Sequence, residues 1–117
     1  MGEITYNKLI RDKIPDIIRV NGKEPITRQA TDEEMEHLLL AKILEEIEEY
    51  RQSGHVEELV DILEVLKALV AEHKLDWDEF EKVSEKKKAK RGGFEGRIYL
   101  IAVKESPDLG TGSQANL

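Results

Sequence analysis

Apolar positions recur at helical intervals through the middle of this chain and gather into short runs towards its ends. From Thr31 to about Gln52, Leu39, Leu40, Ile43, Leu44, Ile47 and Tyr50 fall on one arc of a helical wheel. Thr31, with Glu34 three residues on, has the spacing of a capping box and marks the start. After a break at Ser53-Gly54, a second arc runs from about Val56 to Lys74 and holds Leu59, Ile62, Leu63, Val65, Leu66, Leu69 and Val70. A further helix is predicted from Asp76, with Glu79 completing another capping box. Trp77, Phe80 and Val83 mark its buried stripe, and Gly92-Gly93 ends it. Upstream, residues 6–20 read as a short amphipathic helix with Asp12 as its cap, Pro15 in its first turn and Asn21-Gly22 as its stop. Residues 24–30 suggest an extended piece, and the β-branched and aromatic run 97–103 (R-I-Y-L-I-A-V) a strand that pairs with it. The expected fold is mainly α: an antiparallel helical bundle with a small two-stranded β element. It comprises one domain over 1–105 and a polar tail over 106–117.

Composition narrows what such a bundle can do. The chain has 117 residues, 37% of them charged, with a net charge of -7. That balance disfavours binding to a nucleic-acid polymer, which needs many phosphate contacts from Lys and Arg. Cysteine is absent, which excludes disulfides and thiolate chemistry. No apolar run approaches the ~18 residues of a membrane span. The first residues hold no apolar signal core, and Tyr6 departs from the myristoylation pattern, so the expected location is the cytoplasm. There is no phosphate-binding G-x-x-x-x-G-K-[ST] loop.

The candidate chemistry lies in four acids. Glu46 and Glu49 stand three residues apart on the first long helix, and Glu58 and Asp61 three apart on the next. In an antiparallel hairpin, facing residues share an index sum, and Glu49 with Glu58 and Glu46 with Asp61 both give 107. The two levels are then one step of about 4.5 Å apart at a rise of ~1.5 Å per residue. Glu58 falls inside an apolar arc, where a carboxylate is costly unless it is paired or metal-bound. An acidic helix alone reads as a solvated face, and Glu48 and Glu64 fit that reading. The matched register and the place of Glu58 argue instead for a cation held by oxygens, Mg²⁺ or Mn²⁺, serving phosphate chemistry.

Two basic groups complement the acids. One is Asn7, Lys8, Arg11 and Lys13; the other, in the run 86–91, includes Lys87, Lys90 and Arg91. Cations at a helix C-terminus also complement its dipole, and ordinary surface charge also accounts for the first group. His37, His55 and His73 share no spacing that joins them into a metal set. Leu38, Ala41, Val60 and Ala71 lie off the main arcs, which points to a partner subunit and, most simply, a homodimer.

The run Glu45–Glu49 followed by Glu58 and Asp61 resembles the E-E-x-x-E…E-x-x-D signature of the all-α nucleoside triphosphate pyrophosphohydrolases. That superfamily includes MazG, dimeric dUTPases and phosphoribosyl-ATP pyrophosphohydrolase. The flanks Y-N-K-L-I-R-D-K-I-P (6–15) and R-G-G-F-E-G-R-I (91–98) look like the MazG-like subgroup of house-cleaning pyrophosphatases. The resemblance implies Mg²⁺-dependent cleavage of a nucleotide between its α- and β-phosphates. It also implies Glu46, Glu49, Glu58 and Asp61 as ligands, and Glu45 as the residue that orients or deprotonates water. The eight residues between the two motifs are fewer than in many MazG proteins, which implies an open site and looser base selectivity. Phosphoribosyl-ATP pyrophosphohydrolase shares the same acids and stays an alternative, as does a non-catalytic helical regulator.

Overall fold

Pro15 fixes where the first helix can begin. Its ring is tolerated only in a helical first turn, because further in it removes a hydrogen bond and clashes with the carbonyl four residues back. In a computed structural model that describes residues 2–105, α1 accordingly spans Ile14–Val20, with Pro15 in its first turn. The expected start at residue 6 is thus corrected, and so is the expected cap: Lys13, not Asp12, holds the N-cap position, with no side-chain cap bond. Residues 7–13 run as irregular chain, and Asn7 takes a left-handed φ of 48°.

The long helices follow the sequence closely. α2 spans Asp32–Ser53 and opens with the capping box, in which the Thr31 N–H donates to Glu34 Oε2 at 2.8 Å. Arg28 grips the same carboxylate at 2.8 and 3.0 Å. α2 ends at Gly54, whose φ of 68° lets its N–H reach the Tyr50 carbonyl at 2.8 Å. α3 spans Val56–Glu72 and packs against α2, antiparallel because only Gly54 and His55 link them. α4 spans Trp77–Arg91. Asp76 caps it by accepting from the Glu79 N–H at 2.9 Å, and Gly92 closes it at a φ of 82°. Trp77 stacks on Phe80 with ring centroids 5.2 Å apart, and the Lys67 ammonium lies over the Trp77 ring.

The described residues fall into two units, one ending at Ser84 and the other beginning at Glu85. In the first, the buried apolar side chains are Leu39, Val65 and Val70. The expected arc on α2 is wider than what one neighbouring helix covers. Leu39 and Glu46 are buried, whereas Leu40, Leu44, Ile47 and Tyr50 on the same arc are exposed. On α3, Leu59, Val60 and Leu63 are exposed as well.

The fold is all-helical among the described residues. The expected two-stranded element is not formed: neither 24–30 nor 97–103 is a strand, and Arg97 takes a left-handed φ of 56°. Strand propensity describes a surface that fits a sheet and supplies no neighbour for it. The expected polar tail, 106–117, lies outside the described residues.

Candidate metal centre

Helical period and a two-residue link together bring the acids to one place. Glu46 on α2 and Glu58 and Asp61 on α3 each offer a carboxylate oxygen, all within 4.8 Å of one another. Neighbouring oxygens around Mg²⁺ stand about 3.0 Å apart at ~2.1 Å per bond, so side-chain rotations would have to draw the group together to hold such an ion. Glu46 is the buried charged residue among the described residues, its side chain only 9% exposed. Its Oε2 is buried and has no hydrogen-bond partner. An orphaned carboxylate oxygen is costly, and its position beside two further carboxylates is what a cation would satisfy. All-oxygen donors suit a hard divalent ion.

The electrostatics carry the same message. Burial, then Glu49, raises the Glu46 carboxyl above its usual range; Asp61 and Glu45 add to this, and Lys42 opposes it. The Glu58 carboxyl is also raised, first by desolvation and then by Glu49 and Asp61. Both groups therefore resist ionisation while no cation is near. Glu49 is exposed and outside the group of three, yet it lies close enough to act on Glu46 and Glu58 alike.

Three cationic side chains meet these acids. Lys8 donates to Glu45 Oε1 at 2.7 Å, and Arg11 donates to Asp61 Oδ1 at 2.7 Å. The irregular chain before α1 thus lies along both long helices, with charge pairs 37 and 50 residues apart in sequence. Lys42 is the third, not singled out by the sequence reading. It sits 3.4 Å from Glu45 Oε2 and 3.6 Å from Glu46 Oε1, and is 15% exposed. Its signal was available in the i,i+3 and i,i+4 spacings to those two acids. The Glu45 carboxyl is held below its usual range, chiefly by the hydrogen bond from Lys8, and the Lys8 ammonium is raised by the same bond.

The other predicted site residues are Asn7, Lys13, Lys87, Lys90 and Arg91. Asn7 and Lys13 are exposed, and neither side chain has a hydrogen bond to the acids. Lys87, Lys90 and Arg91 are exposed residues of the second unit, at the C-terminal end of α4. There they complement the helix dipole.

No protein-family model matches the chain, and no solved structure does. The chain is similar to an uncharacterized protein of Mycolicibacterium smegmatis (strain ATCC 700084 / mc(2)155), 43% identical over 44 residues. That stretch is 38% of this chain and 45% of the length of its relative. No helix among the described residues is long and apolar enough to cross a membrane.

Proposed function

We propose that the protein is a cytoplasmic, MazG-like nucleotide pyrophosphohydrolase that uses Mg²⁺, or Mn²⁺ in its place. Its substrate is a nucleoside triphosphate, non-canonical ones included, and its products are the monophosphate and pyrophosphate. The observation that carries this reading is the buried, unpartnered Glu46 Oε2 beside Glu58 and Asp61. Glu46, Glu58 and Asp61 would hold the ion, with Glu49 as a further ligand from the exposed side. A bound divalent ion supplies charge neutralisation on the phosphate oxygens and a site for water.

The chain's own residues supply the rest. Glu45 is one residue from Glu46 and is held ionised by Lys8, so it is ready to accept a proton from the attacking water. To do so it must exchange Lys8 for that water. Lys8 and Arg11, released from the acids by an incoming cation, are placed to meet the substrate phosphates, which arrive with the opposite charge. Asn7 and Lys13 extend that basic segment, and Lys87, Lys90 and Arg91 form a second anion-binding group. A homodimer covers the exposed leucines of α2 and α3.

A nucleotide panel with Mg²⁺, read by phosphorus NMR, tests the reading. Pyrophosphate and a monophosphate are the expected first products; orthophosphate with a diphosphate would refute the assignment. Glu45→Gln should keep metal binding and lose about 10²-fold or more in kcat, the scale of general acid–base catalysis.

A further inference from the structure

Lys42 meets the acids from within their own helix. It lies three residues before Glu45 and four before Glu46 on α2, the spacings that put side chains on one face. Its ammonium stands 3.4 Å from Glu45 Oε2 and 3.6 Å from Glu46 Oε1, so it spans the two carboxylates. Its side chain is 15% exposed, against 38% for Lys8 and 50% for Arg11. Lys8 and Arg11 reach the acids from an irregular segment, through pairs that water screens. Lys42 is carried on the same helix as its partners, at a depth where parting a charge from its partner is costly.

We propose that Lys42 is a built-in counter-ion that limits the acid centre to a single divalent ion and keeps Glu45 out of its ligand set. The inference rests on the metal reading of that centre and adds to it the number of ions. Among the described residues, one group of acids brings three ligand atoms close enough to share an ion, namely Glu46, Glu58 and Asp61. A second ion beside the first would have to bridge Glu45 and Glu46, and the Lys42 ammonium already spans that pair. An ammonium donates hydrogen bonds and offers no lone pair, so it repels such an ion and cannot join its ligands.

Charge gives the same count. Five carboxylates, Glu45, Glu46, Glu49, Glu58 and Asp61, act on one another here, and Lys8, Arg11 and Lys42 are the three cations that meet them. With all of them ionised, two negative charges remain, which one divalent ion neutralises. The oxygens are divided accordingly. Glu46 turns Oε1 to Lys42 and leaves Oε2, buried and unpartnered, for the ion. Glu45 has Lys8 at Oε1 and Lys42 at Oε2. When Lys8 leaves, Oε1 is opened to water while Lys42 still holds Oε2. Two neighbouring glutamates thus take different tasks, Glu46 as ligand and Glu45 as proton acceptor.

Titration of the full chain with Mn²⁺, the free ion read by electron paramagnetic resonance, counts the ions without nucleotide or turnover. The wild type should bind one ion per chain at saturation. Lys42→Met keeps the reach of the side chain without its charge and should bind two, the second through Glu45 and Glu46. Lys42→Gln, which keeps a donor without the charge, should do the same. Adding Glu45→Gln to Lys42→Met should return the count to one, and Lys42→Arg should leave it at one. With nucleotide present, Lys42→Met should lose about 10²-fold or more in kcat, as Glu45 turns from proton acceptor to ligand. Two ions in the wild type overturn the inference and leave the metal centre standing; no bound ion overturns both. A Lys42→Met or Lys42→Gln protein that is folded by circular dichroism and still binds one ion also overturns it, and a raised KM in that protein assigns Lys42 to the substrate instead.

Discussion

Glu46 concentrates the tension of the acid centre in one side chain. Its carboxyl is raised by burial and by Glu49, so the folded state binds its proton more tightly than the unfolded chain does. The contribution of such a group is fully present below the unfolded value near 4.5 and is lost as pH rises through the higher folded value. Glu58 acts in the same direction. The metal-free protein should therefore become more stable on mild acidification from neutral pH. Glu34 bears the opposite sign: Arg28 and the Thr31 N–H lower it to about 2, so its contribution is lost only as pH falls towards that value. Glu46→Gln should raise metal-free stability by about 1 kcal/mol, since it removes a buried negative charge that lies among other acids and whose Oε2 has no hydrogen-bond partner. It should also abolish the rise in Tm that Mg²⁺ gives the wild type, a rise worth about 2.7 kcal/mol at a hundredfold excess over Kd. Melts in EDTA and in millimolar Mg²⁺ measure both, and equal rises in wild type and variant would remove Glu46 from the centre. Arg11 offers a second test at this scale. It is half exposed and its pair with Asp61 is screened, so its hold on that carboxylate is modest. Arg11→Ala should tighten Mn²⁺ binding several-fold by calorimetry while weakening kcat/KM for the nucleotide. Those opposite shifts distinguish a residue that leaves the ion site to meet phosphate from ordinary surface charge.

At the scale of elements, the hairpin is where the sequence spoke most clearly. α2 and α3 are long and periodic, and their ends are marked by Thr31, Glu34 and Gly54. Register then follows from arithmetic once a two-residue link forces the helices antiparallel. Glu46, Glu58 and Asp61 therefore meet as their spacing predicts. What was not legible depends on neighbours. A wheel shows which positions are apolar but not how many helices are present to cover them, so Leu40, Leu44 and Ile47 share the apolar arc of Leu39 and are exposed. Residues 6–13 have helical composition, but Pro15 bars the helix from extending back over them, and Lys8 and Arg11 are drawn to distant acids. The partner of 97–103 was sought at 24–30 because strand propensity carries no address. Gly54 gives this scale its prediction. A Cβ there meets nothing within 4 Å, so only its φ of 68° opposes a side chain. Gly54→Ala should destabilise by about 1 kcal/mol in urea melts, the cost of a left-handed residue, with the slope m unchanged.

At the scale of the molecule, three buried apolar side chains among the described residues are a thin core for a chain of this length. Hydrophobic burial must offset chain entropy of order 100 kcal/mol or more, which so small a core does not supply alone. In the proposed homodimer association contributes part of the folding free energy, and Tm should rise with protein concentration. Calorimetry from about 5 to 500 μM reads this directly, and a concentration-independent Tm would assign full stability to the single chain.

The two-residue link between α2 and α3 carries one more consequence, and it concerns time. The loop that must close before these helices meet is nearly as short as a helical pair allows, so its entropic barrier is small and its contacts are local. The acids are thus brought together early in folding, before slower, more distant contacts can stabilise them. Their mutual repulsion is already present at the barrier. A divalent cation acting there would quicken folding as well as hold the finished protein together.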